Sequence, residues 1–392
     1  MRDSNWIKGA WNNASKGDVF ETNLRAPGVK GPEWWPRSGL PDLEEAISGL
    51  RAAAPQWRKL GQAERAKVLT SVLDRWQEET DGVEELALVL GLSIEALDDE
   101  LERALDTGDK LIADGQDLDA SPLNAEGDES LALIQVPAPE FYDGLVSASF
   151  PDLLAGRALL IISDPNLPWL ALELVERLGS EPELAGVVAL LHDDRSVCFP
   201  QAAASQAFES SLPRQAFGAG LDNPSRLAIE KQVSLNATFV VFEHDDPVQA
   251  AGEAYEGAFG AQRAFSGQRA GQIGRVICHE RLLSEFTAAL LACIAETGEE
   301  SVCRVFSSDL ARYCSDLCQL GLDEGATLIC GGAEDRQGFR GSGQECTMAP
   351  SVFTNAEPTM GLVRASRPAP MLSLMRAASD TEACAVRDRF PR

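Results

Sequence analysis

Short, uninterrupted apolar runs, each bounded by glycine, proline or polar residues, constrain the fold of this 392-residue chain more than any other feature. Runs that do not alternate with polar residues are typical of parallel strands buried on both faces. The sequence therefore predicts an α/β fold, with a mostly parallel, doubly wound sheet and a second α/β lobe that begins near Asn236. The predicted strands span residues 131–136, 158–162, 187–191, 239–242 and 276–278, and the helices between them span residues 169–178, 248–264, 282–296 and 309–320.

The flanking segments differ in pattern. Residues 6–11 alternate like a strand and lead into Asn12-Asn13, which predicts a hairpin near the N-terminus. After residue 366 the sequence offers one short helix, at 381–389, so we expect the second lobe to be incomplete. Helical spacing is found over residues 41–54, 62–79 and 94–105, whereas residues 116–130 are acidic and polar and predict a protruding segment.

Charge and hydropathy exclude several classes of function. The chain has 34 basic and 61 acidic residues, a net charge of −27 and no basic patch, which argues against nucleic acid and membrane partners. The most apolar stretch is interrupted by Asp164 and Glu173, and the N-terminus lacks the apolar core of a secretory signal. We therefore expect a cytoplasmic protein.

The cysteines indicate reduced thiols. All nine lie beyond residue 197 and none forms a CxxC pair, which argues against a disulfide framework and against a metal site. Cys314 and Cys318 lie one helical turn apart, but no third ligand stands nearby to complete a tetrahedral site. We expect both to be core thiols.

Several motifs occur in order along nearly the whole chain. They are the opening hairpin, Leu154-Ala155-Gly156-Arg157-Ala158, Gly267-Gln268 followed by Arg275-Val276-Ile277-Cys278-His279-Glu280, and Pro350-Ser351-Val352-Phe353. Together these motifs resemble those of the aldehyde dehydrogenases. The resemblance implies a dinucleotide-binding-like, Rossmann-like domain over residues 1–235, which includes the segment near 116–130. It also implies a catalytic-like domain over residues 236–392 that is truncated at its C-terminus.

The chemistry that this resemblance implies needs a cysteine thiolate, an asparagine amide donor and a glutamate base. The position of the cysteine, two residues after Gln268, is occupied by Ala270. The resemblance places Glu230 at the general-base position, although a surface or helix-end carboxylate accounts for this residue somewhat better. Residues 137–143, where the asparagine is expected, contain none.

The positions that would bind the cofactor also depart from the family. Ile162 and Pro165 stand where a lysine and a glutamate would contact the adenine ribose, and neither side chain can make those hydrogen bonds. Ser210 replaces the glycine of the pyrophosphate turn, beside Glu209. We therefore assign no cofactor, with NAD or NADP implied only if the protein is active.

Three hypotheses follow. The first is an aldehyde dehydrogenase-like protein with a degenerate active site, which acts as a non-catalytic interaction or regulatory module and self-associates or docks on an active relative. The second is an active NAD(P)-dependent aldehyde or semialdehyde dehydrogenase. The third is a small-molecule binding protein that uses the former aldehyde tunnel, lined by Phe265, Phe141 and Tyr142.

Overall fold

The chain divides into two compact units, an N-terminal unit (residues 1–218) and a C-terminal unit (residues 219–392). The sequence predicted a boundary after residue 235, and the assignment of dinucleotide-binding and catalytic roles to the two parts stays a prediction. The computed structural model describes residues 4–22, 34–78, 94–116, 131–136, 140–194, 196–204, 236–260, 267–269, 271–296, 303–305, 308–332, 347–365 and 367–390.

The N-terminal unit is built on a mixed sheet with the strand order β2-β1-β7-β6-β5 among its described residues. Strands β5, β6 and β7 run parallel, and β1 lies antiparallel to β7 and to β2. Its strands are β1 (Asn5–Ile7), β2 (Ala10–Asn12), β3 (Val19–Glu21), β4 (Trp34–Pro36), β5 (Ala132–Ile134), β6 (Leu159–Ile162) and β7 (Val188–Leu191). Its helices are α1 (Leu40–Lys59), α2 (Gln62–Glu78), α3 (Ile94–Gln116), α4 (Phe141–Leu154), α5 (Pro168–Gly179) and α6 (Cys198–Ala204).

The apolar runs account for the centre of this unit. Every residue of β6 is fully buried, and no residue of β7 is more than 1% exposed. Helix α1 turns one apolar face inward, formed by Leu43, Ala46, Leu50, Ala54 and Trp57. Strands buried in this way need helices on both faces of the sheet, which is what the uninterrupted runs predicted.

The C-terminal unit is a second mixed sheet, with the order β11-β13-β14-β9-β8 in its described part. Only β11 is antiparallel to its neighbour in this sheet. Its strands, including the small pair β10 and β12, are β8 (Ala237–Val241), β9 (Ile273–His279), β10 (Cys303–Arg304), β11 (Thr327–Cys330), β12 (Thr347–Met348), β13 (Ser351–Thr354) and β14 (Met371–Ala377). Its helices are α7 (Pro247–Phe259), α8 (Leu283–Glu296), α9 (Ser308–Asp323), α10 (Gly361–Arg364) and α11 (Asp380–Arg387).

The expectation for residues 366–392 was wrong in one respect. The segment that the sequence assigned a single helix also contains β14, which lies at the centre of the second sheet between β13 and β9. Leu372 and Met375 are at most 1% exposed. The strand was missed because it contains Ser373 and Arg376 and no β-branched residue, so its burial comes from its neighbours rather than from its own pattern.

Arg65, in the first turn of α2, hydrogen-bonds to the C-terminal ends of α1 and α4. Its Nε donates to the carbonyl of Leu154 at 2.9 Å, at the end of α4. Its Nη1 donates to the carbonyls of Leu60 and Arg58, at the end of α1. The side chain is buried, and burial lowers the pKa of its guanidinium. Carbonyls at helix ends have no partner inside their own helix, so one arginine satisfies groups that would otherwise be buried without a hydrogen bond.

We predict that Arg65→Ala lowers the free energy of unfolding by about 2 to 4 kcal/mol, because the buried carbonyl of Leu154 and the partly buried carbonyls of Arg58 and Leu60 lose their donor. Lys67→Ala, on the same helix, is the matched control, since Lys67 makes an exposed ion pair with Glu64. Its effect should stay within about 0.5 kcal/mol. Urea denaturation of both variants measures the difference, and equal effects would contradict the role given to Arg65.

No helix in the described part of the chain is long and apolar enough to span a membrane.

Candidate functional site

The carboxyl ends of the parallel strands carry the polar residues of the first sheet. Gln135 follows β5, Ser163 and Asp164 follow β6, and His192 and Asp193 follow β7. All five are buried. Ligands of open α/β sheets bind outside the carboxyl ends of the strands, so this edge is where a nucleotide site is expected.

The ribose positions predicted from the sequence lie at the end of β6. Ile162 is fully buried, and Pro165 lies in the turn that follows. The carboxylate of Asp164 accepts hydrogen bonds from the backbone N–H and the side-chain amide of Asn166, both at 2.8 Å. The adjoining cleft has room for about one water molecule and is lined mainly by apolar side chains, namely Val136, Phe141, Leu145, Ile162, Asp164, Leu167, Leu170 and Ala171. These residues do not fit a dinucleotide ribose.

Phe141 and Tyr142, two of the three proposed tunnel residues, belong to the core of the N-terminal unit. Phe141 is fully buried, and Tyr142 is 2% exposed. The hydroxyl of Tyr142 donates to Glu173, which also accepts from Trp76 Nε1 at 3.2 Å. Burial raises the pKa of Glu173 and of Tyr142. Tyr142 therefore joins helices α2, α4 and α5, and this arrangement gives no support to a ligand tunnel.

His192 is the centre of a buried polar cluster that sequence reasoning missed. Its Nδ1 lies 2.9 Å from the hydroxyl of Ser163, and its ring centroid lies 4.9 Å from that of Trp35. Its backbone N–H donates to Asn5 Oδ1 at 3.3 Å and to Ser38 Oγ at 3.2 Å. The sequence held one signal for this cluster, because only three histidines occur in the chain and this one directly follows a buried run.

In the C-terminal unit, the loop that would carry the nucleophile leads into β9. Ala270 itself lies outside the described residues, and its neighbours Gln268, Arg269 and Gln272 are all buried. The backbone N–H of Arg269 donates to Gln272 Oε1 at 2.8 Å. Cys278, farther along β9, is fully buried. Burial, and secondarily the charge of Asp245, raise the pKa of its thiol to about 12.

Other predicted site residues lie outside the described part of the chain. Glu230, Ser210 and Glu209 fall within residues 205–235, and Phe265 falls within 261–266. Residues 137–139 of the stretch expected to hold the asparagine lie outside it as well. The predicted general base therefore stays a prediction.

Cys314 and Cys318, the two cysteines one helical turn apart, lie in a core environment. Cys314 and Cys318 are buried in α9, and Cys318 Sγ lies 3.9 Å from Met371 Sδ. Among the described residues, no group of three or more histidine, cysteine, aspartate or glutamate side chains could hold a metal ion.

Known proteins provide independent evidence for the fold. The aldehyde dehydrogenase family matches residues 228–389. The chain is 21% identical to the alpha-ketoglutarate semialdehyde dehydrogenase of Haloferax volcanii, over 97% of this chain and 82% of that protein. It is 24% identical to malonate-semialdehyde dehydrogenase 2 of Shouchella clausii, over 98% and 82%. A solved betaine aldehyde dehydrogenase from Staphylococcus aureus matches with a TM-score of 0.81 at 16% identity, over 99% of this chain and 80% of that one.

Fold and likeness together define an oxidoreductase-like scaffold of two α/β units, each with a Rossmann-like, partly parallel sheet. The match over residues 228–389 and the relatives that span nearly the whole chain support membership of the aldehyde dehydrogenase superfamily. The resemblance drawn from the sequence motifs is thereby confirmed.

We predict that acid destabilises the N-terminal unit through His192. Burial lowers the pKa of this imidazole from 6.5 to about 3. The unfolded chain therefore takes up a proton below pH 6.5 while the folded chain does not, and stability is lost as the pH falls from 6.5 toward 3. His192→Asn should remove a pH dependence on the order of a few kcal/mol across this range.

His244→Asn, at an exposed histidine, is the control for this experiment. Urea unfolding at a series of pH values should show the wild-type slope in His244→Asn and a flatter slope in His192→Asn. Identical slopes in both variants would contradict the assignment.

Proposed function

We propose that this chain is an aldehyde dehydrogenase-like protein with a degenerate active site, which acts as a non-catalytic interaction or regulatory module. The observation that carries the proposal is Ala270, at the position where the family resemblance requires the nucleophilic cysteine. A methyl group cannot attack a carbonyl carbon. Loss of a covalent nucleophile costs on the order of 10⁴ to 10⁶ in turnover.

The described thiols near this loop offer no replacement. Cys278 lies in the core cluster of the C-terminal unit, among Val276, Phe286 and Leu374. With its pKa raised to about 12, it carries almost no thiolate at neutral pH. Cys293 packs against the same cluster. These burial environments support the absence of covalent catalysis.

We expect the purified protein to show no aldehyde-dependent reduction of NAD or NADP across a panel of aldehydes and semialdehydes. The measurement is absorbance at the reduced-nicotinamide band, with an active family member as the positive control. Sustained turnover that Glu230→Ala abolishes would instead support the alternative, an active NAD(P)-dependent aldehyde or semialdehyde dehydrogenase.

Restoring a cysteine at residue 270 tests the effect of the nucleophile separately from that of the altered cofactor positions. We expect Ala270→Cys to react with iodoacetamide at the new thiol, while Cys278 stays unmodified because it is fully buried. Turnover should remain absent, since Ile162 and Pro165 still occupy the ribose positions. Peptide mass spectrometry measures the labelling, and Ala270→Ser is the matched control. Turnover restored by Ala270→Cys alone would contradict the proposed loss of cofactor contacts.

An interaction role is supported by an exposed apolar face on the strand pair β3 and β4. Val19 is 49% exposed and Trp34 is 51% exposed. Glu21 pairs with Trp34 in the register and lies two residues after Val19, so all three side chains share one face. Exposed tryptophans are enriched among residues that dominate binding interfaces. We propose that this face contributes to self-association or to docking on an active relative.

We expect Trp34→Ala to weaken that association at least tenfold. Light scattering coupled to size exclusion, with the protein alone and mixed with an intact aldehyde dehydrogenase, measures it. Val248→Ala is the control, since Val248 is equally apolar and 59% exposed on a separate element. If both variants associate like the wild type, this face is not the interface.

A cytoplasmic location completes the proposal. Seven cysteines of the described part of the chain are free thiols, which suits a reducing compartment; they are Cys198, Cys278, Cys293, Cys314, Cys318, Cys330 and Cys384.

A further inference from the structure

The carboxyl edge of the first sheet is filled by side chains of the N-terminal unit itself. We infer that this edge, at the ends of β5, β6 and β7, has been closed into a packed core and does not accept a dinucleotide. The inference rests on the described residues of the N-terminal unit. It does not depend on the residue at position 270, which belongs to the C-terminal unit.

Phe141 closes the space between the ends of β5 and β6. It is the first residue of α4, it is fully buried, and its backbone φ is +55°. A bulky residue in this left-handed region is strained, and such strain persists only where the surroundings hold the residue in place. Together with Ile162 and Leu170, Phe141 lines a cleft that has room for about one water molecule. Burial of the ring offsets the backbone strain.

An aromatic cluster closes the space beyond β6. Trp35, brought in by β4, is 1% exposed. Its ring centroid lies 5.1 Å from that of Trp169, in the first turn of α5, and 4.9 Å from that of His192. Ser163 and His192 join the ends of β6 and β7 through their side chains. These side chains fill the space at the N-terminus of α5, where an anionic ligand would bind.

The charges at this edge also disfavour a dinucleotide. Asp164 and Asp193 are 3% and 0% exposed. Asp194, which directly follows Asp193, is paired with Arg37 at 2.7 Å. A pyrophosphate placed here would bring further negative charge close to buried carboxylates, where the low dielectric strengthens repulsion.

The direct test is titration of the wild-type protein with NAD and with NADP, followed by calorimetry and by amide hydrogen exchange. We expect no exchange protection over residues 159–171 at millimolar dinucleotide, whereas a dinucleotide-binding enzyme treated in parallel shows strong protection. Saturable protection of this edge overturns the inference. Protection of this edge without any turnover would overturn this inference but leave the proposed function intact. Turnover without protection at this edge overturns the proposed function and leaves this inference intact.

Matched variants test the closure itself. At residue 141 the positive φ favours glycine, so Phe141→Gly should melt at the same temperature as Phe141→Ala or higher. Phe150 is also fully buried in α4, where it directly precedes Pro151 and has no positive φ, so its glycine variant should melt lower than its alanine variant.

Amide exchange at the start of α5 should accelerate at least tenfold in the Phe141 variants and not in the Phe150 variants. The same melting order at both positions, or unchanged exchange at α5 in all four, would overturn the role assigned to Phe141. If the Phe141 variants do not fold, the wild-type titration still decides the inference.

Discussion

Burial of the central strands on both faces is the constraint on which the rest of the N-terminal unit depends. The residues of β6 and β7 are at most 1% exposed, so these strands carry no functional side chain along their length. The polar side chains come directly after these strands, as Ser163 does after β6 and His192 after β7. Ser163 and His192 hydrogen-bond to each other, and the ring of His192 packs against that of Trp35. The edge where chemistry is expected has therefore become part of the core.

Most of the fold could be predicted from the sequence, because apolar runs and helical spacing are local signals. Strands β5, β6, β7, β8 and β9 and the helices between them follow from those signals. Strand β14 does not, since its burial comes from β13 and β9 on either side. The helix predicted over residues 248–264 ends at Phe259 instead, before Gly260. Local pattern identifies an element, whereas its neighbours decide burial and length.

The residues of the candidate site also fall into those that the sequence could identify and those that it could not. Ala270 and Ile162 could be singled out because they stand at fixed spacing within motifs. The hydrogen-bond partners of Arg65 and of His192 could not be predicted, because they are distant in the chain. His192 contacts Asn5 across 187 residues, and Arg65 contacts Leu154 across 89. The left-handed backbone of Phe141 is also invisible to pattern reasoning, since phenylalanine is an unfavourable choice for that conformation.

The loop before β9 shows how packing alone can preserve part of a motif. Gly267 has a φ of +77°, and a Cβ there would overlap Pro370. Glycine is therefore required by the packing of this loop, whatever stands at residue 270. The side chain of Gln272 likewise holds the backbone N–H of Arg269. Gly267, one of the residues by which this block resembles the family, is therefore needed by the fold, and its presence is evidence for the scaffold rather than for catalysis.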